Sequence, residues 1–276
     1  MSVKWMQPIL YDELWAPNGT QITEPIIIEL LNTKVMKRLR QIGQNGVSNH
    51  IVPPINNMKT PSKTTRFDHS CGAMLLTLFA GGNLEEQIAA LLHDLPHTCF
   101  SHTIDVLADT PGESFHENHK WEILEPYTSE LNEILGDEWK TYVDAKKYDV
   151  VKMNKKIAAD VADYLCRDAY VFGFRDAEEL RFHMRQLKVY GNPRKLCCIN
   201  TEEASWWSKL SLQIDTGIYN SAWNMGQNKM LADILREKQI NMTDLINCNN
   251  GESQYLDQDD IDKISHSKWA HGHDVT

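Results

Sequence analysis

An imidazole and a carboxylate stand side by side at His93-Asp94, in the run Leu91-Leu92-His93-Asp94-Leu95-Pro96-His97. Such a pair offers one nitrogen and one oxygen to a hard or borderline divalent metal. A metal needs three or four protein ligands, so the rest of the chain must supply partners. Five of the eleven histidines fall between His69 and His116, the others there being His93, His97 and His102. Neutral imidazoles are the commonest nitrogen ligands and act as acids and bases near neutral pH. His69 follows Arg66-Phe67-Asp68 at the start of an otherwise apolar stretch. A histidine there is ordinarily a hydrogen-bonded core residue, and a metal is the other partner on offer. Asp160, Asp163, Tyr164, Arg167 and Asp168 recur at i, i+3, i+4, i+7 and i+8, which puts all five on one helix face. A solvated charged face is the ordinary reading of such a stripe. Tyr164 at its centre and the mixed signs also fit a polar pocket wall.

The elements that must position these groups are mostly helical. The apolar spacing predicts a helix over Ile26–Gln41, then a loop through the Pro- and Asn-rich residues Gly43–Thr65. Two apolar helices follow, over 67–80 and 84–95, split by Gly81-Gly82-Asn83. Pro96 disfavours a helical Leu95, so the second should stop close to His93-Asp94. Short helices are expected at Phe100–Ala108, His116–Leu124 and Thr128–Leu135, and a long one from about Asn154 to Val171. Within Arg181–Ile199, Val189-Tyr190 and Leu196–Ile199 flank Gly191-Asn192-Pro193 and read as a small β-hairpin. Glu202–Arg236 reads as one or two long helices, with Trp206, Trp207 and Trp223 serving packing. The expected class is mostly α: one domain over 1–240, then a polar extension over 241–276, partly flexible, with Ser265–Thr276 mobile.

The 276 residues suffice for a large core, and the net charge of −10 argues against stable nucleic-acid binding. No run of about 18 apolar residues is present, so no membrane span is expected. Cys71, Cys99, Cys166, Cys197, Cys198 and Cys248 show no CxxC spacing and read as reduced thiols of a cytoplasmic or other reducing intracellular compartment. His266, His271 and His273 belong to the polar tail, and Lys152, Lys155 and Lys156 read as a solvated basic cluster.

Taken in order, Arg38-Leu39-Arg40-Gln41-Ile42-Gly43, Arg66-Phe67-Asp68-His69-Ser70, His93 to His102 and Asp160 to Asp168 resemble the successive motifs of the HD-domain metal-dependent phosphohydrolases. Tyr190-Gly191-Asn192 resembles a hairpin of the dNTP triphosphohydrolase branch. The similarity runs over roughly residues 5 to 235. It implies an HD-domain helical bundle with His69, His93, Asp94 and Asp160 holding one divalent metal ion, whether Mn, Fe, Co, Ni, Zn or Mg. His116, in Ser114-Phe115-His116-Glu117, matches the catalytic histidine beside the leaving oxygen. His97 and His102 match histidines that approach the phosphates. Arg66 would hold a phosphate, Gln41 and Ile42 would meet the sugar, Tyr164 would pack beneath it, and Asp168 would accept from its 3′-hydroxyl. The implied reaction converts a dNTP to a deoxynucleoside and inorganic triphosphate. A nucleoside monophosphatase or phosphodiesterase, or a nucleotide sensor without turnover, is the alternative. Homo-oligomerisation is left open, since the family often assembles. The sequence departs from the family pattern at Pro96, Thr98 and Cys99, and at Val161, where a lysine often follows the last metal aspartate.

Overall fold

The computed structural model describes residues 8–109, 115–152, 156–248 and 251–271. Ser114, Asn154, Lys155 and His273 lie outside the described residues.

An antiparallel hairpin opens the chain, β1 (Ile9–Asp12) pairing with β2 (Ala16–Gln21) so that Ile9 faces Gln21. The sequence analysis did not anticipate it, because Pro17-Asn18-Gly19 carries turn rather than strand propensity. The Asp12 carboxylate accepts the Leu14 and Trp15 N–H groups at 3.0 and 2.7 Å and turns the chain back. The single helix expected over Ile26–Gln41 is broken. It forms α1 (Pro25–Asn32), α2 (Lys34–Arg38) and a 3-10 turn, Leu39–Gln41. The break lies at Thr33, whose hydroxyl donates to Leu30 O and accepts from Met36 N–H, a local alternative to continued helix.

Helix α3 (Arg66–Ala80) starts on a reciprocal cap between Thr65 and Asp68 and ends at Gly81, which takes the left-handed conformation with φ 89°. Its faces are buried almost all round. Helix α4 (Leu84–Leu92) starts on the same kind of cap, between Asn83 and Glu86. It stops at Leu92, short of the expected 95, with His93 as C-cap. The tight turn at Gly81-Gly82 makes α3 and α4 packed neighbours, which sets the first turn of one beside the last turn of the other.

One flank is built from α5 (Thr103–Leu107), α6 (Phe115–Asn118), α7 (Lys120–Leu124), α8 (Thr128–Leu135) and α9 (Trp139–Asp144). The last was not expected; Trp139 and Val143, four apart, bury against α4. Helix α10 (Ala159–Val171) packs across α3. Then come α11 (Ala177–Met184) and the hairpin of β3 (Leu187–Tyr190) and β4 (Lys195–Cys198), with Leu187 opposite Cys198. The hairpin is therefore narrower than 181–199, its first residues belonging to α11. Two helices, α12 (Thr201–Ile214) and α13 (Ala222–Glu237), are joined by a wide π-type turn. The class is mostly α, as the residue pattern predicts.

Beyond 240 the polar segment folds as α14 (Met242–Asn247) and α15 (Gln258–Ser265). Within this segment Glu252, Asp260 and Ile264 are buried. The expectation of six free thiols is corrected here. Cys99 and Cys248 are joined in a disulfide with Cα atoms 5.5 Å apart, and Cys71, Cys166, Cys197 and Cys198 are free. No sequence spacing announces this pair because 149 positions separate its members. The argument from unpatterned cysteines to a reducing compartment loses its basis with it. Thiol titration of the unfolded, unreduced protein should count four groups, and six after reduction; six without reductant would contradict the bond. Among the described residues no helix is long and apolar enough to cross a membrane.

Candidate metal centre and active site

Four side chains from three helices converge. His69 projects from the first turn of α3, His93 and Asp94 from the end of α4, and Asp160 from the first turn of α10. His69 Nε2 lies 3.3 Å from His93 Nε2 and 3.3 Å from Asp160 Oδ1. His93 Nε2 lies 3.5 Å from the same Asp160 oxygen and 3.4 Å from Asp94 Oδ1. Asp94 Oδ2 is 3.6 Å from His69 Nε2. An ion with ligand bonds of about 2.1 Å holds neighbouring ligand atoms about 3.0–3.4 Å apart, close to these edges.

The protonation pattern gives an independent test of fit. His93 Nδ1 meets Ala90 O at 2.8 Å, and His69 Nδ1 meets Asp163 Oδ2 at 2.7 Å. Both partners accept, so both Nδ1 atoms donate, and the two Nε2 lone pairs point at each other. Two facing lone pairs between carboxylates demand a cation. The same demand appears in the metal-free titration. Burial opposes charge on His69, yet hydrogen bonds to Asp160 and Asp163 raise its pKa to about 10. Asp160 is held far below the usual carboxylate range despite its burial, by His93 and His69. The donor set therefore suits a divalent cation, and His69, His93 and Asp160 form a compact three-ligand group.

A proton and a metal must then compete at His69. In the metal-free fold its pKa stands above the unfolded 6.5. The stability it contributes is full below pH 6.5 and is lost as pH rises toward 10. Metal binding should release about one proton over this window, and apparent Mn2+ affinity should rise about tenfold per pH unit. Calorimetry in buffers of different ionisation enthalpy counts that proton; a pH-independent affinity would contradict the arrangement.

A second layer holds these four side chains. Asp163, fully buried, receives Arg167 Nε and Nη2 at 2.9 Å each, and the Trp15 indole N–H. Arg167 Nη2 also reaches Asp12 Oδ2 at 3.0 Å. The face carrying Asp163 and Arg167 is thus a buried ion network rather than a solvated stripe. Gly72, one turn beyond His69, leaves the space for it; a Cβ there would collide with both the Arg167 guanidinium and the Asp163 carboxylate. Asp163 was placed on the correct face by its spacing from Asp160, but its role as partner of His69 was missed. Nothing local in the sequence points to Asp12 and Trp15.

Around the centre, His97 Nε2 lies 3.4 Å from Asp94 Oδ1, and its ring stacks on His116 with centroids 4.0 Å apart. The His102 ring meets both edge-on, 5.2 Å from His97 and 5.6 Å from His116. Burial and Arg66 push His97 well below its usual pKa. Burial and His102 push His116 down to about 4. His116 Nε2 lies 3.8 Å from Glu117 Oε1, a carboxylate shared with Lys120 and Lys152. Lys152, expected as part of a solvated cluster, is placed in that pair. The Asp160 and His102 side chains, 20% and 41% exposed, mark the open side of the centre.

The remaining predicted positions divide. Arg66 is buried, with Nη1 on Asp94 Oδ2 at 2.8 Å and Nε donating to Ser101 Oγ at 2.9 Å, so its guanidinium orients the Asp94 carboxylate. Tyr164 lies beside the centre, its ring centroid 6.5 Å from that of His69. Asp168 accepts from Asn45 Nδ2 and Tyr219 Oη, which forms a polar floor with Tyr164. Gln41 is exposed beside Gly251, whereas the Ile42 side chain is enclosed in the core. Its carbonyl receives the Arg66 N–H, so Ile42 supports the site from behind.

No family model matches the chain. The protein named metal-dependent phosphohydrolase cns2 of Cordyceps militaris is 33% identical over 206 residues, 71% of this chain and 56% of that protein. A SAMHD1 homologue of Dictyostelium discoideum, named a deoxynucleoside triphosphate triphosphohydrolase, is 26% identical over 64% of this chain and 39% of its own length. The crystal structure of a phosphohydrolase from Bacteroides thetaiotaomicron superposes with a TM-score of 0.63 over 94% of this chain and 68% of that one, at 18% identity. The chain belongs to the HD-domain phosphohydrolase superfamily. It spans about half the length of the first curated relatives it matches. The His-Asp pair that names the superfamily is His93-Asp94, and the cation its relatives' name implies has a fitting donor set here.

Proposed function

We propose that this HD domain hydrolyses nucleotide phosphate esters with a divalent metal held by His69, His93, Asp94 and Asp160, converting dNTPs to deoxynucleosides and inorganic triphosphate. The observation that carries the reading is the meeting of four ligand atoms at one point, with the His97–His116 stack beside it. When bound, a divalent cation polarises a phosphoryl oxygen and lowers the pKa of water. His97, His93 and Arg66 together keep Asp94 ionised despite its burial, and Arg66 orients it. His116 starts neutral, because burial and His102 disfavour its charge. An arriving phosphate reverses that balance, so the imidazole takes up a proton beside the ester and delivers it to the leaving oxygen. Glu117 steadies the imidazolium. Tyr164 and Asp168 offer a ring face and a carboxylate to the sugar.

Two observations favour a monophosphate as the second reading. Arg66 is spent on Asp94 and Ser101, and Val161 stands where a lysine would meet a triphosphate. Incubation with Mn2+ and a panel of dNTPs, NTPs and NMPs, followed by anion chromatography, separates the two. Inorganic triphosphate from dNTPs supports the first reading; orthophosphate from NMPs alone replaces it with the second. Tight binding without turnover under any metal would make the protein a sensor. His116→Gln should lower kcat by about 10²–10³-fold while leaving Mn2+ stoichiometry unchanged; full activity would remove His116 from the chemistry.

A further inference from the structure

The segment that composition marks as an extension sends a carboxylate beneath the catalytic histidines. Glu252 is buried. Its Oε1 accepts Gly43 N–H at 3.0 Å and Phe100 N–H at 2.5 Å, and its Oε2 lies 2.9 Å from His50 Nε2. The loop between Asp94 and α5, which carries His97 and His102, needs such an anchor. Phe100 and Ser101 are consecutive non-glycine residues at φ 62° and 46°, in a left-handed region that side chains resist. From this loop a chain of hydrogen bonds reaches the metal centre. Ser101 Oγ donates to Gly43 O at 2.6 Å and accepts from Arg66 Nε, and Arg66 Nη1 holds Asp94. The surrounding segment reinforces the contact. The Arg38 guanidinium bridges His97 O and Ile246 O at 2.7 Å each, Cys99 N–H donates to Leu245 O, and Cys99 is bonded to Cys248.

We infer that Glu252 is a positioning residue for hydrolysis: it fixes the His97–His102 loop and, through Ser101 and Arg66, the Asp94 carboxylate. This rests on the phosphohydrolase reading. Reach rather than charge does the work. One oxygen takes two backbone N–H groups, which a glutamine amide oxygen also accepts while its NH2 faces His50 Nε2. Aspartate keeps the charge but is one methylene too short to span both Gly43 and Phe100.

The test uses the full Mn2+-loaded chain with Glu252→Gln, Glu252→Asp and Glu252→Ala, assayed at a temperature where circular dichroism shows each folded. Glu252→Asp and Glu252→Ala should lower kcat about 30-fold or more with KM nearly constant, and weaken Mn2+ affinity about tenfold. Glu252→Gln should restore most of both. Parental kcat and Mn2+ affinity in folded Glu252→Asp would overturn the inference. So would a Glu252→Gln as impaired as Glu252→Ala, which would assign the role to charge. Should Glu252→Ala fail to fold, the Gln and Asp variants carry the comparison. Mn2+ affinity is read without substrate. A parent that hydrolyses no nucleotide would therefore refute the phosphohydrolase reading, while the affinities still decide on Glu252.

Discussion

Asp160→Ala is expected to abolish both metal retention and hydrolysis, with kcat/KM falling about a thousandfold or more. Loss of an outer-layer partner alone costs roughly 10–100-fold in affinity or activity, and the proposed function puts Asp160 in the inner set. Its Oδ1 lies 3.3 Å from His69 Nε2 and 3.5 Å from His93 Nε2. Its carboxylate also has an exposed edge, so on that proposal it faces the side from which a phosphate would arrive. Removing it leaves two imidazoles and Asp94, itself drawn toward Arg66. Burial lowers the His69 pKa and Asp160 opposes that, so the same change should bring His69 down from about 10. Metal content by mass spectrometry and turnover at saturating Mn2+ check the prediction. A folded variant retaining stoichiometric metal and full rate would show that the three remaining groups suffice.

Arg167→Met should be the most destabilising single change in the second layer. The guanidinium lies between two buried carboxylates, Asp12 and Asp163. Methionine fills much of the volume but takes from both carboxylates the cation they share, a loss of about 3–5 kcal/mol. Asp163 is buried, which raises its pKa, and Arg167 leads the groups that hold it below 3.8. With a depressed folded pKa, its contribution is present above pH 3.8 and is lost as pH falls through the folded value. In the variant only His69 still lowers that pKa, so the contribution shrinks and the acid limb of the stability curve should flatten. The Asp163 carboxylate also fixes the Nδ1 proton of His69, so metal affinity should drop about tenfold even in molecules that remain folded. Urea unfolding of the metal-free protein from about pH 2 to pH 8 measures the first effect, and calorimetry the second. Asp12→Asn added to Arg167→Met should recover part of the stability, because one uncompensated charge is gone. An unchanged midpoint in Arg167→Met would mean that the network is solvated and carries little.

How much of this was legible before folding follows a physical division. His93-Asp94 at a helix end was readable because Pro96 lies three positions on and α4 starts on Asn83 and Glu86; all act within a turn or two of chain. The shared face of Asp160, Asp163, Tyr164, Arg167 and Asp168 was readable because 3.6-residue periodicity is local. The hairpin at 187–198 was readable from two β-favouring runs around Gly191-Asn192-Pro193. The break at Thr33 was local too, but a single hydroxyl outweighed an otherwise helical pattern there.

What the sequence by itself determined was therefore the kind and order of the reactive groups and the helices that bear them. Only the tertiary structure decided their partners. His69 meets Asp163 across 94 positions, Arg167 meets Asp12 across 155, and Phe100 meets Glu252 across 152. Such pairs are chosen by which faces pack, and a charged face looks the same in sequence whether water or a second ion covers it. Packing against the hairpin of Asp12 and Trp15 made that face a buried scaffold. Packing of the C-terminal segment against the Phe100 loop made a polar extension part of the folded body.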